Sequence, residues 1–336
     1  MSEHNQTSSP AAAGADAGAR PRAQGRDTGA LLSLVIPVYC NAESLPELKQ
    51  QLDFLEAQLA EREMQLETIF VDDGSTDGSF AGLMTIRQER PGTKVIRLTR
   101  NFGAVAATKT GLAYVEGDCF GILSADLQEP PEQVVKMVDR WRAGDKFVIS
   151  VRRERDDPFM TRLFSAAYYF LFRWFVIPGY PQGGFDLMLT DKSFMPHMSK
   201  ISKHIGPEIY AYWLGVEPTT LVYDRLRRKY GKSKWTFVKK LNYFVDNFTG
   251  FSATPLRAVS VFGLLSALVS FVYGLFIFVD AIVTGSDVPG FATLAVLISF
   301  FSGMILFILA IIGEYLWRIF DILSGKPEGV VDEVHL

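Results

Sequence analysis

Short apolar runs dominate the region from about residue 31 to 150, and each run ends in polar residues or glycine. The strings LLSLVIPVY, LETIFVDD, TKVIRL and DCFGIL predict strands, because they are apolar and bounded by turn residues. The interval from Leu45 to Met64 has helical spacing instead. Strands alternating with helices predict an α/β fold with a mostly parallel sheet. Ligands bind such sheets at the carboxyl ends of the strands, so the polar residues there are candidate site residues.

Two much longer apolar runs lie near the C-terminus, at about 258–280 and 291–313. Each is long enough to cross the ~30 Å hydrocarbon core of a bilayer. A buried hairpin in a soluble protein is the alternative, which two adjacent runs of this length disfavour. Basic residues flank the outer ends of the pair, whereas the connection holds Asp287 and no Lys or Arg. The positive-inside rule then predicts a multi-pass protein of the cytoplasmic (inner) membrane, with both termini and the main domain in the cytoplasm.

These patterns predict five parts of the chain. They are a disordered tail at 1–30, a cytoplasmic domain at 31–235, an amphipathic juxtamembrane segment at 236–256, two membrane helices within 257–318, and a cytoplasmic tail at 319–336. The aromatic segment 159–180 fits either a helix in the headgroup layer or a helix in a protein core, and both interpretations stay open.

Composition and charge exclude several classes of function. A chain of 336 residues that is 48% hydrophobic is too apolar to be disordered, and its net charge of −3 argues against nucleic-acid binding. The two cysteines are too few for a disulfide framework. The first strand is not followed by G-x-G-x-x-G, which argues against a dinucleotide oxidoreductase. The runs Ala258–Val279 and 291–312 hold no formal charge, which argues against a transporter.

Three polar clusters at predicted strand ends could carry chemistry: residues 37–43, 72–75 and 124–128. Carboxylates in this position can bind a nucleoside by hydrogen bonds or hold Mg²⁺ or Mn²⁺ against a diphosphate. Each cluster taken singly is also ordinary turn chemistry. Farther along, the stretch from Lys200 to Arg257 has eleven Lys or Arg against four Asp or Glu, which favours a phosphate-binding role over the alternative of a solvated face next to the membrane.

Six strings together resemble one family, and they are SLVIPVYCNAES, FVDDGSTDGS, RLTRNFGAVAATKTGL, SADLQEPPE, GGFDLMLTDK and RRKYGKSKW. The family is the inverting family 2 glycosyltransferases. Within it, the chain is similar to the polyisoprenyl-phosphate glycosyltransferases, the group of dolichyl-phosphate mannose synthases and bactoprenol glucosyltransferases. The resemblance covers about 32–320 and implies a GT-A type, Rossmann-like fold with a C-terminal two-helix anchor.

The resemblance also implies roles for individual residues. Contacts with the nucleotide-sugar are expected from Pro37, Tyr39, Glu43, Asp72, Asp73, Arg100, Asn101, Phe102, Gly103 and Gln128. Asp126 is expected to be catalytic and to bind the metal, Mg²⁺ or Mn²⁺. Relatives usually carry Asp-x-Asp where this chain has Ser124-Ala125-Asp126. One carboxylate is thus lost, and the expected metal affinity is lower unless a water bound by Ser124 substitutes.

Arg228, Ser233 and Lys234 are implied to bind the donor diphosphate and an acceptor phosphate. The chemistry agrees, because a Gly-Lys-Ser-Lys loop offers flexible backbone and compact cations to phosphate oxygens. Asp186 is the candidate catalytic residue on the acceptor side. A phosphomonoester has a second pKa of about 6, so such an acceptor needs alignment more than deprotonation. Asp186 is therefore expected to orient groups or balance charge, and an acid that caps a turn is the alternative.

The function implied is transfer of a hexose, with UDP-glucose as the expected donor, to polyprenyl (undecaprenyl) phosphate. The expected partners are this donor, the lipid acceptor, the bilayer and further copies of the chain in a homo-oligomer. Two alternatives differ in kind. A processive polysaccharide synthase would need a Gln before Arg173-Trp174, where Phe170 stands. A non-catalytic, membrane-anchored scaffold of the same fold is supported by Ser124.

Overall fold

The computed structural model describes the residues 29–153, 159–203, 205–230, 245–252, 254–284 and 290–336. Several predictions lie outside the described residues. They concern the N-terminal tail to residue 28, the phosphate-binding residues Ser233 and Lys234, most of the juxtamembrane segment (236–244), and the connection 285–289 with Asp287.

The strands of the described chain form one eight-stranded sheet. In chain order they are β1 (Ala30–Val38), β2 (Met64–Asp72), β3 (Thr93–Leu98), β4 (Cys119–Ile122), β5 (Phe147–Arg152), β6 (Leu187–Asp191), β7 (Thr219–Tyr223) and β8 (Val331–His335). Their spatial order is β7-β5-β6-β4-β1-β2-β3-β8. The central strands β4, β1, β2 and β3 pair in parallel, whereas β6 and β8 run antiparallel to their neighbours. This confirms the predicted α/β fold with a mostly parallel sheet.

Helices connect the strands and cover both faces of the sheet. They are α1 (Leu45–Ala60), α2 (Ser79–Glu89), α3 (Ala104–Leu112), α4 (Pro131–Arg142), α5 (Phe159–Phe175), α6 (Met195–Met198) and α7 (Pro207–Trp213), with a 3₁₀ turn at Lys192–Phe194. Residues 245–251 are also helical. Two long helices follow, the first apolar helix (Thr254–Thr284) and the second apolar helix (Phe291–Leu323).

Alternate residues of β1 belong to two different cores. Leu34 and Ile36 pack in a core that includes the leucines of α1 and the apolar face of α4. Val35 points to the other core, which includes Ala107 and Leu112 of α3. Because successive side chains of a strand face opposite sides, the sheet buries apolar residues on both faces. Its loops at the carboxyl ends of the strands are therefore held by two packed layers.

The aromatic helix α5 has one buried and one exposed face. Phe172 is fully buried in a small core with Tyr180 and Phe248. Phe170 and Trp174 are exposed on the other face, with their rings stacked 6.3 Å apart. The helix thus contributes to a protein core on one side. Its contact with a lipid headgroup layer stays a prediction for the other side.

The two apolar helices are long and apolar enough to cross a membrane, over Leu256–Ile277 and Phe300–Leu323. Their large side chains lie on the outside of the protein, as Leu264 and Phe271 do at 72% and 70% exposure. The second helix ends at Leu323, farther along the chain than the predicted end near residue 313. The segment predicted to be a tail then returns to the sheet as β8, the partner of β3.

Candidate active site

A cavity of about 990 Å³ lies at the carboxyl ends of the parallel strands. Its walls are formed by the segments that directly follow β1, β2, β3 and β4, because parallel neighbours deliver their ends to one edge of the sheet. Residues from the far end of the chain contribute as well, namely Asp321 and the segment 326–328. The cavity is therefore bounded both by the sheet and by the region just after the second apolar helix.

Most of the residues predicted to bind ligands line this cavity. Those that do are Pro37, Tyr39, Glu43, Asp73, Arg100, Asn101, Phe102, Gly103, Asp126 and Arg228. Asp72, Gln128 and Asp186 are not among the lining residues. Ser233 and Lys234 lie outside the described residues. The structure thus brings together the predicted residues from four strand ends, and their individual contacts with a ligand stay predictions.

Asp73 fixes the loop that follows β3. Its two carboxylate oxygens accept hydrogen bonds from the backbone N–H groups of Phe102 (2.7 Å) and Gly103 (2.9 Å). In the same loop, the guanidinium of Arg100 lies 4.0 Å from the centre of the Phe102 ring. Asp73 therefore shapes the cavity wall through the backbone, in addition to its predicted contact with the nucleotide.

Asp72 is fully buried behind this wall. One carboxylate oxygen accepts a hydrogen bond from the backbone N–H of Ser75 (3.3 Å) and lies 3.8 Å from Nε of Arg97. The other oxygen has no hydrogen-bond partner among the described residues. Burial raises the pKa of Asp72, although the bonds from Ser75 and the charge of Arg97 oppose this effect. Asp72 thus supports the end of β2 from inside.

Gly74 is required where the ends of β2 and β3 approach each other. It has a φ of +65°, and a Cβ added there would lie 2.4 Å from the carbonyl carbon of Arg100. We expect Gly74→Ala to lower the free energy of unfolding by about 2–4 kcal/mol, the sum of left-handed backbone strain and overpacking. Chemical denaturation measures this, with Gly78→Ala as the control, since its Cβ would meet only Ala42 at 3.9 Å. Equal stability of the two variants would contradict the prediction.

Asp126 forms an ion pair with Arg228 in the cavity wall. Nη2 of Arg228 also lies 3.2 Å from Oε1 of Gln128, and Arg225 donates a hydrogen bond to the same oxygen at 2.8 Å. Leu127, which lies between Asp126 and Gln128 in the chain, has a positive φ of 61°. The segment after β4 is thereby tied to the segment after β7, which supplies both arginines. The predicted metal residue and a predicted phosphate residue are direct neighbours.

Asp186 lies in a second cluster of charged residues, next to the ion pair of Asp126 and Arg228. Its carboxylate accepts hydrogen bonds from Nε (2.5 Å) and Nη2 (2.7 Å) of Arg152 and from the hydroxyl of Tyr223 (2.8 Å). Nη1 of Arg225 lies 3.7 Å away. Burial raises the pKa of Tyr223, and the Asp186 carboxylate raises it further, so this hydroxyl keeps its proton and remains a donor. Asp186 is thus held in one orientation at the ends of β5 and β7.

Glu129 is a buried carboxyl between the two clusters, with 3% of its surface exposed. Oε1 lies 3.6 Å from Arg225, and Oε2 has no hydrogen-bond partner among the described residues. Burial raises the pKa of Glu129 to about 8, assisted by the negative charges of Asp126 and Asp186 and opposed by Arg225. Sequence reasoning did not single out Glu129, although the string SADLQEPPE contains it.

The raised pKa of Glu129 predicts a pH-dependent stability. Its proton is bound more tightly in the folded protein than in the unfolded chain, so the free energy of unfolding falls as pH rises from about 4.5 to about 8. We expect Glu129→Gln to lose less stability than the wild type between pH 5 and pH 8 in thermal unfolding. Glu132→Gln, an exposed acid three residues along, is the control. Parallel curves for the wild type and Glu129→Gln would contradict the assignment.

The cavity wall can hold a hard divalent cation only with help from a ligand. Within the described ranges, no group of three His, Cys, Asp or Glu side chains could hold a metal ion. Asp126 offers one carboxylate, and Nη2 of Arg228 contacts both this carboxylate and the amide oxygen of Gln128. Mg²⁺ usually keeps waters and substrate phosphates and needs only one or two carboxylates. The residues therefore fit a cation that arrives with a diphosphate, and Arg228 competes with it for Asp126.

One family and three individual proteins are similar to this chain. The profile of Glycosyl transferase family 2 matches residues 33–201. An uncharacterised glycosyltransferase of Synechocystis is 33% identical over 90% of this chain and 95% of that protein. A bactoprenol glucosyl transferase of Shigella flexneri is 28% identical over 90% of this chain and 98% of that protein. The undecaprenyl-phosphate 4-deoxy-4-formamido-L-arabinose transferase of Klebsiella pneumoniae is 30% identical over 90% and 93%.

Proposed function

The chain belongs to glycosyl transferase family 2 and is a glycosyltransferase, and we propose that it transfers a hexose from a nucleotide-diphosphate sugar to polyprenyl phosphate. UDP-glucose is the proposed donor and undecaprenyl phosphate the proposed acceptor. The observation that carries the proposal is that two distant parts of the chain form the cavity wall. Strand-end residues, including Asp126, form one part of it, and residues directly after the second apolar helix form another. A site for a polar donor thereby adjoins a segment suited to lipid.

The names of two relatives support the lipid acceptor. One is a bactoprenol glucosyl transferase, and the other is a transferase that acts with undecaprenyl phosphate. They match this chain over 90% of its length, which includes most of the region of the apolar helices. The sugars in the two names differ, since one is glucose and the other is an arabinose derivative, a pentose. Glucose is the proposed sugar, and transfer of a different sugar is an alternative outcome of the test.

The two apolar helices are the proposed membrane anchor. They expose large apolar side chains along their length, and none of the residues whose burial the structure describes in the most apolar window of either helix is buried in the protein. Such surface is costly in water and stable in lipid. Arg257 and Arg318 flank the pair on the side of the sheet domain. By the positive-inside rule we place this side, with the active site, at the cytoplasmic face of the membrane.

The proposed reaction is a single displacement. An oxygen of the lipid phosphate forms a bond to the anomeric carbon of the hexose, while the bond from that carbon to the nucleoside diphosphate breaks on the opposite face. The anomeric centre is inverted, and the products are polyprenyl-phosphate hexose and a nucleoside diphosphate. Mg²⁺ or Mn²⁺, held by Asp126, supplies positive charge to the diphosphate when bound. Arg228, and by prediction Ser233 and Lys234, bind phosphate oxygens nearby.

Asp186 has a positioning role in this scheme. Its carboxylate already accepts three hydrogen bonds, two from Arg152 and one from Tyr223. The acceptor phosphate, with a second pKa of about 6, is mostly ionised at neutral pH and needs no base. Asp186 therefore holds Arg152 and Arg225 in place beside the Asp126 cluster, where their charge favours phosphate groups.

A screen of donors tests the proposed function. Purified full-length protein is incubated with a short-chain polyprenyl phosphate, Mg²⁺ or Mn²⁺, and a panel of nucleotide-sugars, and products are identified by mass. We expect polyprenyl-phosphate hexose with UDP-glucose. Equal transfer to a water-soluble alcohol would overturn the proposed acceptor. No transfer from any donor would favour the non-catalytic scaffold, which the serine at position 124 supports.

A further inference from the structure

The chain that leaves the second apolar helix turns back to the sheet and passes the cavity on its way. The helix ends at Leu323, and Lys326, Pro327 and Glu328 then form part of the cavity wall. Residues 331–335 then form strand β8, which pairs with β3. We call residues 326–336 the C-terminal strap.

The first part of the strap is fastened to α3 and to a neighbouring loop. The carboxylate of Glu328 accepts a hydrogen bond from Nζ of Lys109 at 2.7 Å, and the same ammonium group donates to the backbone oxygen of Ser202 at 2.7 Å. Gly329 packs so closely on α3 that an added Cβ would lie 3.1 Å from Oγ1 of Thr110. These contacts fix the backbone beside Lys326.

The second part of the strap is fastened to the edge of the sheet. The backbone N–H of Thr99 donates to the carbonyl of Val330 at 2.9 Å, where β8 begins. On β8 itself, Glu333 forms an ion pair with Arg97 at 3.1 Å. The wall segment is therefore held at both ends, by the helix before it and by β8 after it, and its position does not depend on a ligand.

The basic side chains that line the cavity differ in what they bind. In the part of the chain that the structure describes, Lys203 pairs with Asp321 and Arg228 pairs with Asp126. Arg100 lies over the ring of Phe102. Lys326 forms neither a hydrogen bond nor an ion pair with the described residues, and it is exposed at the wall. Its ammonium group is thus available to an anion inside the cavity.

We propose that Lys326 binds a phosphate group of the substrates, an inference that rests on the proposed function. A lysine ammonium is a compact cation that binds phosphate as a point charge. The two substrates offer the same chemistry from two sources, the diphosphate of the donor and the monophosphate of the lipid. Lys326 stands three residues after the helix end, between the apolar helices and the strand-end residues of the cavity.

Binding and kinetics of Lys326 variants test the proposal. Full-length protein in detergent is titrated with UDP, and KM is measured separately for the donor and for polyprenyl phosphate. We expect Lys326→Ala to raise either the Kd for UDP or the KM for the lipid about tenfold, the loss of one charge-assisted hydrogen bond. Lys326→Arg should retain most of the affinity. Lys136→Ala, an exposed lysine of α4 outside the cavity wall, is the matched control.

The results distinguish the donor diphosphate from the lipid phosphate as the group that Lys326 binds. A change confined to UDP and the donor assigns Lys326 to the diphosphate, and a change confined to the lipid assigns it to the acceptor phosphate. Values for Lys326→Ala within twofold of the wild type for all ligands would overturn the proposal, as would an equal change in Lys136→Ala. If the wild type transfers no hexose at all, the proposed function fails, while the UDP titration still tests the lysine.

Discussion

Replacing Asp126 by asparagine is expected to lower kcat/KM for hexose transfer by about 10²- to 10³-fold, the effect of several kcal/mol of lost charge stabilisation. The substitution keeps the size of the side chain and an oxygen that can accept the hydrogen bond from the backbone N–H of Gln128. It removes the negative charge that pairs with Arg228 and that we propose holds the divalent cation. Steady-state kinetics at several Mn²⁺ concentrations measure both the rate and the apparent affinity for the metal.

The control for this substitution lies at the opposite end of the same strand. Asp118 directly precedes β4, is exposed, and accepts a hydrogen bond from the backbone N–H of Leu31. Asp118→Asn therefore changes a carboxylate next to the same strand without altering the cavity. We expect its kcat/KM to stay within twofold of the wild type. Wild-type kinetics and metal dependence in Asp126→Asn would remove the metal assignment.

Replacing Asp186 by asparagine is expected to lower kcat/KM about 10- to 100-fold, because a part-buried, charge-assisted hydrogen-bond network is weakened. Arg152 would lose one of its two hydrogen bonds, and both Arg152 and Arg225, 3.7 Å away, would lose the negative charge beside them. If Asp186 positions these cations, the rates of variant and wild type should depend on pH in the same way between pH 6 and pH 8. Rate profiles over this range, with saturating donor, measure that dependence.

A nearby exposed acid provides the control for Asp186. Asp224 pairs with Arg153 at 3.5 Å, and both side chains are largely exposed at the ends of β7 and β5. We expect Asp224→Asn to leave the rate unchanged, because exposed ion pairs contribute little. A steep rise of the wild-type rate with pH that disappears in Asp186→Asn would show that the carboxylate acts as a base and would contradict the positioning role.

The central strands and their polar ends could be predicted because their information is local. The runs that became β1 to β4 are apolar and end at turn residues, so each strand and its final cluster can be found without knowledge of its neighbours. Parallel pairing then brings Glu43, Asp73, Asn101 and Asp126 to one edge. The spacing of the strings was enough to identify the family, because the cluster after each strand is itself characteristic.

The charged cluster around Asp186 could not be predicted, because it is formed by partners distant in the sequence. Arg152 ends β5, Tyr223 ends β7, and the parallel pairing of these strands is fixed by packing that no local pattern reveals. Arg225 follows Tyr223 by two residues. It lies in a basic stretch, and the sequence does not distinguish its role from that of the neighbouring arginines. Glu129 carried a weak signal, an acid directly before two prolines at the end of a predicted site cluster.

The sequence of β8 is too short to predict a strand by itself. Its five residues include two valines among charged residues, which fits an edge strand but also fits a solvated tail. The antiparallel partner, β3, is more than 200 positions away along the chain, and two apolar helices intervene. The structure is therefore needed to show that this segment pairs with β3.

The position of β8 after both apolar helices in the chain has a consequence for biogenesis. A ribosome synthesises this strand only after it has synthesised both helices. Until then the edge of β3 lacks its partner, and an uncovered edge invites pairing with other chains. The nascent chain therefore completes this sheet, and with it the cavity wall that contains Lys326, only after both apolar helices have been made. Completion of the proposed active site is thereby coupled in time to synthesis of the proposed membrane anchor.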